Sequence, residues 1–151
     1  MRVVVDTNVW VSALLTRTGP PGRVLTAFEN NQFTLVTCEP LLMELAGVLA
    51  RPRLFRRYGY TADDVSALLG SLRALGELVT VTASVRVCRD PEDDLVVETA
   101  INGRSDVLVS RDDDLKRAPE VSAFLAERGI RVLSVQQFLD ALEKAEAQAK
   151  N

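Results

Sequence analysis

The run Val3-Val4-Val5, broken at Asp6-Thr7-Asn8, restricts the fold more than any other stretch. Consecutive β-branched residues suit a strand buried on both faces, as strands inside a parallel sheet are. The pattern returns along the chain, where Phe33–Val36, Leu78–Val81, Val107–Val109 and Ile130–Leu133 also read as short strands. Between them lie segments of helical spacing. Asn8–Leu15 follows the first strand directly. Val24, Leu25 and Phe28 set a helix from Arg23 to Asn30, and Leu41, Leu42, Leu45, Val48 and Leu49 form an apolar stripe. Val65–Leu75 and Val135–Leu142 are helical in pattern as well. Strands alternating with helices predict a three-layer α/β/α fold with a central, mostly parallel sheet and right-handed crossovers. Such a sheet brings successive strand ends to one edge, and ligands bind in the crevice there.

Local punctuation refines this outline. Gly19-Pro20-Pro21-Gly22 reads as a stop before the second helix, Pro40 as the first helical residue of the third, and Pro52 as that helix's end. Thr61-Ala62-Asp63-Asp64 has the pattern of an N-cap with acids in the first turn. Asp90 reads as an N-cap with Pro91 as the first helical residue. The chain of 151 residues is expected to form one domain over 1–142. A tail at 143–151, rich in Ala, Glu and Lys, either extends the last helix or frays.

Composition removes whole classes of chemistry. With no histidine, there is no imidazole base, no Ser-His-Asp triad and no His-ligated zinc. Cys38 and Cys88 lack zinc-type spacing and read as buried thiols. Catalysis must then run on carboxylates, hydroxyls, Lys, Arg or a metal. No apolar run is long enough to span a bilayer or mark a signal peptide, so a cytoplasmic protein with no membrane contact is expected. The net charge of -3 does not forbid a local basic patch. Such a patch exists: Arg51, Arg53, Arg56 and Arg57 interleave with Leu54, Phe55, Tyr58 and Tyr60. It suits RNA-backbone or partner contact, with aromatics that could pack or stack against bases. A helix face that keeps its arginines in water accounts for it equally simply.

The acids carry the functional signal. Asp6 stands at the end of the first strand, Glu44 in the second turn of the helix after the second strand, and Asp93 in a helix's first turn. Asp112 follows the Val107–Val109 strand as Asp6 follows its own, with Asp114 two residues on. Caps and Asx turns explain one or two such acids. Carboxylates about 5 Å apart repel by roughly 3 kcal/mol at an effective dielectric near 20, so a convergent set calls for a cation. Oxygen ligands alone favour Mg2+ or Mn2+ over zinc, and such ions support hydrolysis of a phosphodiester.

The segments Val-Val-Asp-Thr-Asn-Val-Trp-Val-Ser, Leu-Leu-Met-Glu-Leu before Arg-Pro-Arg-Leu, Asp-Pro-Glu-Asp-Asp before an apolar helix, and Val-Ser-Arg-Asp-Asp-Asp-Leu resemble the PIN-domain nucleases. In particular they resemble the bacterial PIN proteins grouped with the toxin components of toxin–antitoxin pairs. The order and spacing cover the chain from Met1 to Phe138. The resemblance implies a three-layer α/β sheet, a Mg2+- or Mn2+-dependent endoribonuclease site and a homodimer, with RNA as substrate and an antitoxin protein as a partner. Carried over by position, Asp6, Glu44, Asp93 and Asp112 are the catalytic and metal-holding acids, and Asp114 is an additional one. Thr7 and Ser110 match hydroxyls that orient water or carboxylates, and Asn8 an amide that fixes the first loop. Asp94 takes the third role if its helix starts one residue later. Asp90 is left as a cap or outer acid, and Asp113 points to solvent.

Two other readings compete. Phosphoryl transfer on an aspartate would need a second acid two residues after Asp6, where Asn8 stands, or a nearby Lys that the sequence does not offer. A non-catalytic PIN-like module that binds RNA or protein is the other, against which stands the presence of all four acids.

Overall fold

A computed structural model of the chain describes residues 1–111 and 118–150. Five parallel strands, β1 (Arg2–Val5), β2 (Thr34–Thr37), β3 (Glu77–Leu78), β4 (Val107–Val109) and β5 (Arg131–Leu133), form one sheet in the order β3-β2-β1-β4-β5. Val3 to Val5 pair with Val107 to Val109, which in turn pair with Arg131 to Leu133. Eight helices are present among the described residues. They are α1 (Thr7–Leu15), α2 (Pro20–Glu29), α3 (Glu39–Leu49), α4 (Pro52–Tyr58), α5 (Ala62–Leu75), α6 (Pro91–Asn102), α7 (Pro119–Ala126) and α8 (Val135–Ala149).

The period of two along each strand divides the core in two layers. Val3, Val5, Leu35, Val107 and Val109 join the cluster built from α1, α2, α5 and α8. Val4, Val36 and Leu108 join the opposite cluster with α6 and α7. Helix α3 serves both, giving Leu42, Leu45 and Leu49 to the first and Leu41 to the second. Within the first layer a chain of rings runs Trp10–Phe28–Phe33–Phe138, with centroids 5.9, 6.1 and 5.1 Å apart. These spacings lie in the favourable range for tilted and edge-on pairs, and they tie the last helix to the first.

Some boundaries differ from those expected. Gly19-Pro20-Pro21-Gly22 does not halt the chain before a later helix: Pro20 is already the first residue of α2, since proline's missing N–H costs nothing there. Gly22 is needed because a Cβ at that position would lie 1.9 Å from the Arg17 carbonyl oxygen. Helix α3 begins at Glu39 and stops at Leu49, and Pro52 opens α4 instead of closing α3. The third strand is two residues long, although the Val79 N–H extends it by one bond to the Thr37 carbonyl. Helix α7 has no counterpart in the sequence reading. The segment after Leu142 continues α8 to Ala149, held to α2 and the turn after it by an Arg23–Glu143 ion pair at 3.6 Å and a Gln32–Glu146 hydrogen bond at 2.7 Å. No helix among the described residues is long and apolar enough to cross a membrane.

From β1 the chain moves outward through β2 and β3, then crosses back to the other side of β1 for β4 and β5. The order reverses between β1 and β4. At such a switch point the flanking connections leave in opposite directions and open a crevice beyond the strands' carboxyl ends. Asp6 and Ser110 stand at that point.

Candidate active site at the sheet switch point

Asp6 has the extended backbone of an N-cap, yet its side chain accepts no N–H of α1. Its own N–H continues the sheet to the Val109 carbonyl at 2.9 Å, which fixes it to β4. The carboxylate is buried, and its Oδ2 accepts the Ser110 hydroxyl at 3.1 Å. The next residue repeats the arrangement. Thr7 is buried and its Oγ1 donates to Glu44 Oε2 at 3.2 Å, linking the start of α1 to the second turn of α3. Both hydroxyls predicted to orient groups therefore bond to predicted acids. Asn8 is exposed on the first turn of α1.

Glu44 is half-buried, and its carboxyl is held above the usual glutamate range. Desolvation is the main cause. The Thr7 hydrogen bond opposes it, while the negative charges of Asp6, Glu92 and Asp90 add to it. The first turn of α6 thus lies within electrostatic reach of α3 and β1. Asp90 caps α6 by accepting the Glu92 N–H at 3.0 Å, so it has a helix-cap role besides its charge. Glu92, exposed and given no role by the sequence reading, belongs to the same acidic field.

Asp93 and Asp94 are separated by their environments. Asp94 is buried, and its Oδ1 accepts the N–H groups of Val87 at 2.9 Å and Cys88 at 2.7 Å. Burial raises its pKa, but these bonds, with help from the Cys88 thiol and Arg86, outweigh it and leave the pKa lowered. Asp94 is committed to holding the loop before α6. Asp93 is half-buried on the same turn.

One turn further, Glu98 is almost fully buried and was given no role by the sequence reading. Its two carboxylate oxygens take N–H groups from Thr82, Ala83, Ser84 and Val85. Desolvation again raises the pKa and the backbone donors overcome it, so the group stays ionised to lower pH than usual. Ala83 adopts φ 59°, a left-handed turn that curls the chain around this charge. The available signal was an acid four residues after Asp94 inside Leu95-Val96-Val97-Glu98-Thr99-Ala100-Ile101, on the face an apolar helix buries. Cys38 is buried with its thiol 3.3 Å from the Thr99 hydroxyl; Cys88, expected to be buried, is half-buried.

Asp112, Asp113 and Asp114 lie outside the described residues. Among the described residues, no group of three Asp, Glu, Cys or His side chains is placed to hold a metal ion. The described part of the site consists of Asp6 and Glu44 with their hydroxyl donors and the negative field that Asp90 and Glu92, at the start of α6, add to Glu44.

The basic patch occupies α4 and its approach. Arg51, Arg53, Arg56 and Arg57 are all exposed. The interleaved aromatics are largely structural: of the two expected uses, packing and stacking, two of them take packing. Phe55 and Tyr60 pack against the core with ring centroids 4.7 Å apart, and the Tyr60 hydroxyl donates to the Leu49 carbonyl at 2.7 Å. Tyr58 is exposed, with the Arg57 guanidinium 5.4 Å from its ring centroid. Beside Tyr58, and reaching back to Ser110, lies a cavity of about 620 Å3.

A family model described as "PIN domain" matches residues 2–114. The chain is also 25% identical over 146 residues to "Uncharacterized protein MJ1680" of Methanocaldococcus jannaschii, covering 95% of this chain and 93% of that protein. No solved structure matches it significantly.

Proposed function

This chain belongs to the PIN-domain family, whose members are generally nucleases, and from that premise we propose that it is a metal-dependent endoribonuclease. The observation that carries the reading is the pair Asp6 and Glu44 at the switch point, each held by a hydroxyl and coupled to each other through charge. The donor chemistry suits Mg2+ or Mn2+: oxygen ligands only, partly desolvated, with a repulsion that a cation would relieve. Asp6, Glu44, Asp93 and Asp112 would hold the ion, with Asp114 as an additional acid. A bound ion there supplies Lewis acidity toward a phosphodiester and activates water at neutral pH.

The protein's own groups have defined tasks in this reading. Ser110 fixes one oxygen of Asp6, and Thr7 one oxygen of Glu44, so both carboxylates keep a single orientation. Without histidine, one of these carboxylates, or a water they orient, would take the proton from the attacking water. Arg51, Arg53, Arg56 and Arg57 attract the RNA backbone. We further read the protein as a toxin acting as a homodimer and neutralised by an antitoxin protein.

The test is cleavage of a mixed RNA pool in Mn2+ and in EDTA by wild type and Asp6→Asn. Metal-dependent cleavage lost in a folded Asp6→Asn supports the assignment, and undiminished cleavage by that variant sinks it. Growth arrest on expression of wild type but not of Asp6→Asn would support the toxin role. A non-catalytic binding module is the second reading, favoured by the lack of a three-acid metal group among the described residues.

A further inference from the structure

The cavity of about 620 Å3 next to the acids lies in the size range of small-ligand clefts, about 300 to 1,000 Å3. Ser110 forms part of its wall while its hydroxyl bonds Asp6. An occupant of the cavity is therefore one residue away from the proposed reacting centre. Among the described residues its lining has one cation, Arg111, and no carboxylate. The Arg111 guanidinium donates to the Ser12 hydroxyl, a neutral partner, and no ion pair to it is found among the described residues; its remaining N–H groups are able to grip an anion. At the rim stands Tyr58, the exposed aromatic of the basic patch, followed across the opening by Ser134 and Gln136 at the start of α8. The Gln136 amide nitrogen donates to Asp140 at 3.0 Å, so its carbonyl oxygen is the acceptor it can offer an occupant.

Resting on the nuclease reading, we propose that this cavity receives one unstacked nucleotide of single-stranded RNA beside the scissile bond. Arg111 holds its phosphate, Tyr58 stacks on its base and Gln136 accepts from the base edge. The charge fits: among the described residues the lining has Arg111 and no carboxylate, and Tyr58 joins it to the end of α4, where Arg56 and Arg57 are exposed. The shape restricts the substrate class, because a base enters a concave site only after leaving the helical stack. Unpaired RNA is preferred over duplex of the same sequence.

Two measurements on the full chain decide the matter. In EDTA, each of the four 5′-ribonucleoside monophosphates is titrated against the 15N amide spectrum, with inorganic phosphate as control. Shifts of Ser110, Arg111 and Val135–Gln136 with a nucleotide, larger than with phosphate, support the proposal. Equal shifts with phosphate alone, or none at millimolar nucleotide, overturn it. In Mn2+, Tyr58→Ala is expected to raise KM for an unpaired oligoribonucleotide at least about fivefold with kcat kept, as loss of one base–aromatic stack would. Arg111→Gln lowers the slope of log affinity against log salt by about 0.7. If both surface variants keep the wild-type KM and salt slope while Asp6→Asn is inactive, the cavity inference falls and the nuclease stands. If Asp6→Asn cleaves as wild type does, the nuclease assignment itself falls.

Discussion

Replacing Glu44 by Gln should make the metal-free protein more stable and the metal-bound protein less so. The carboxylate is half-buried in the field of Asp6, Glu92 and Asp90. A like charge about 7 Å away costs about 2 kcal/mol at an effective dielectric near 20. Screening of a half-exposed group reduces the net relief to about 1 kcal/mol. The amide keeps an oxygen for the Thr7 hydroxyl, so the hydrogen bond survives. For a chain of this length, 1 kcal/mol shifts Tm by about 2 to 4 °C, upward here, in EDTA at pH 7. Wild type should then gain about 2.7 kcal/mol at an ion concentration a hundred times its Kd, whereas the variant should gain far less. The two melting curves cross between EDTA and Mn2+, which differential scanning fluorimetry resolves. The pH dependence has a definite sign. Folded Glu44 binds its proton more tightly than the unfolded chain does, so its contribution to stability is full below the ordinary glutamate range and lost as pH rises through the raised value. The advantage of Glu44→Gln in EDTA therefore widens from acid to neutral pH. A variant less stable than wild type in EDTA, or one that gains as much from Mn2+, refutes the reasoning.

Ser110→Ala should weaken Mn2+ binding about 10- to 100-fold, read from the metal dependence of Tm, because Asp6 loses the hydroxyl that orients it; an unchanged midpoint counts against that role. Asp93→Asn and Asp94→Asn should behave oppositely. The first loses the metal response, and the second loses Tm and keeps the response, as expected if Asp94 serves the loop before α6 through the Val87 and Cys88 N–H groups. Glu98→Ala should cost about 2 to 4 kcal/mol, since four backbone N–H groups lose a charged acceptor, measurable as a drop in the urea midpoint. The folded pKa values of Asp94 and Glu98 are lowered, so their stabilisation is complete above the ordinary carboxylate range and disappears as pH falls through those lowered values. In Glu98→Ala the acid side of the stability profile should be flatter.

The sheet was readable because burial on both faces leaves β-branched runs that no surface strand would tolerate, as at Val3–Val5 and Val107–Val109. The strand order, and with it the switch point between β1 and β4, was not readable, because which strands pair is decided by contacts far apart in the chain. Asp6 could be placed at the sheet edge because it directly follows β1, whereas Glu44, in the second turn of α3, also needed the register of that helix. Helix α7 escaped because Pro119-Glu120-Val121-Ser122-Ala123-Phe124-Leu125-Ala126 is too short to show a repeated stripe. Pro20 and Pro52 misled because proline both follows helix ends and begins helices, and only the flanking backbone distinguishes the two. Asp93 and Asp94 could not be separated from spacing alone. What separates them is a loop seven residues upstream whose N–H groups need an acceptor, a long-range demand that leaves no periodic trace. Glu98 illustrates the same point: a carboxylate in an apolar helix face can signal a ligand site, and here its ligand is the chain itself.

The loop from Thr82 to Cys88 has a practical consequence. It is held through its amide groups by two acids on a neighbouring helix, while Val85, Val87 and Cys88 pack against the core layer of that helix, so backbone and packed side chains together set its path. Ala83 alone, in the left-handed region, would gain from becoming Gly or Asn. For a protein engineer the exposed positions Thr82, Ala83, Ser84 and Arg86 are where new side chains can be written in, while Val85, Val87 and Cys88 are kept for packing.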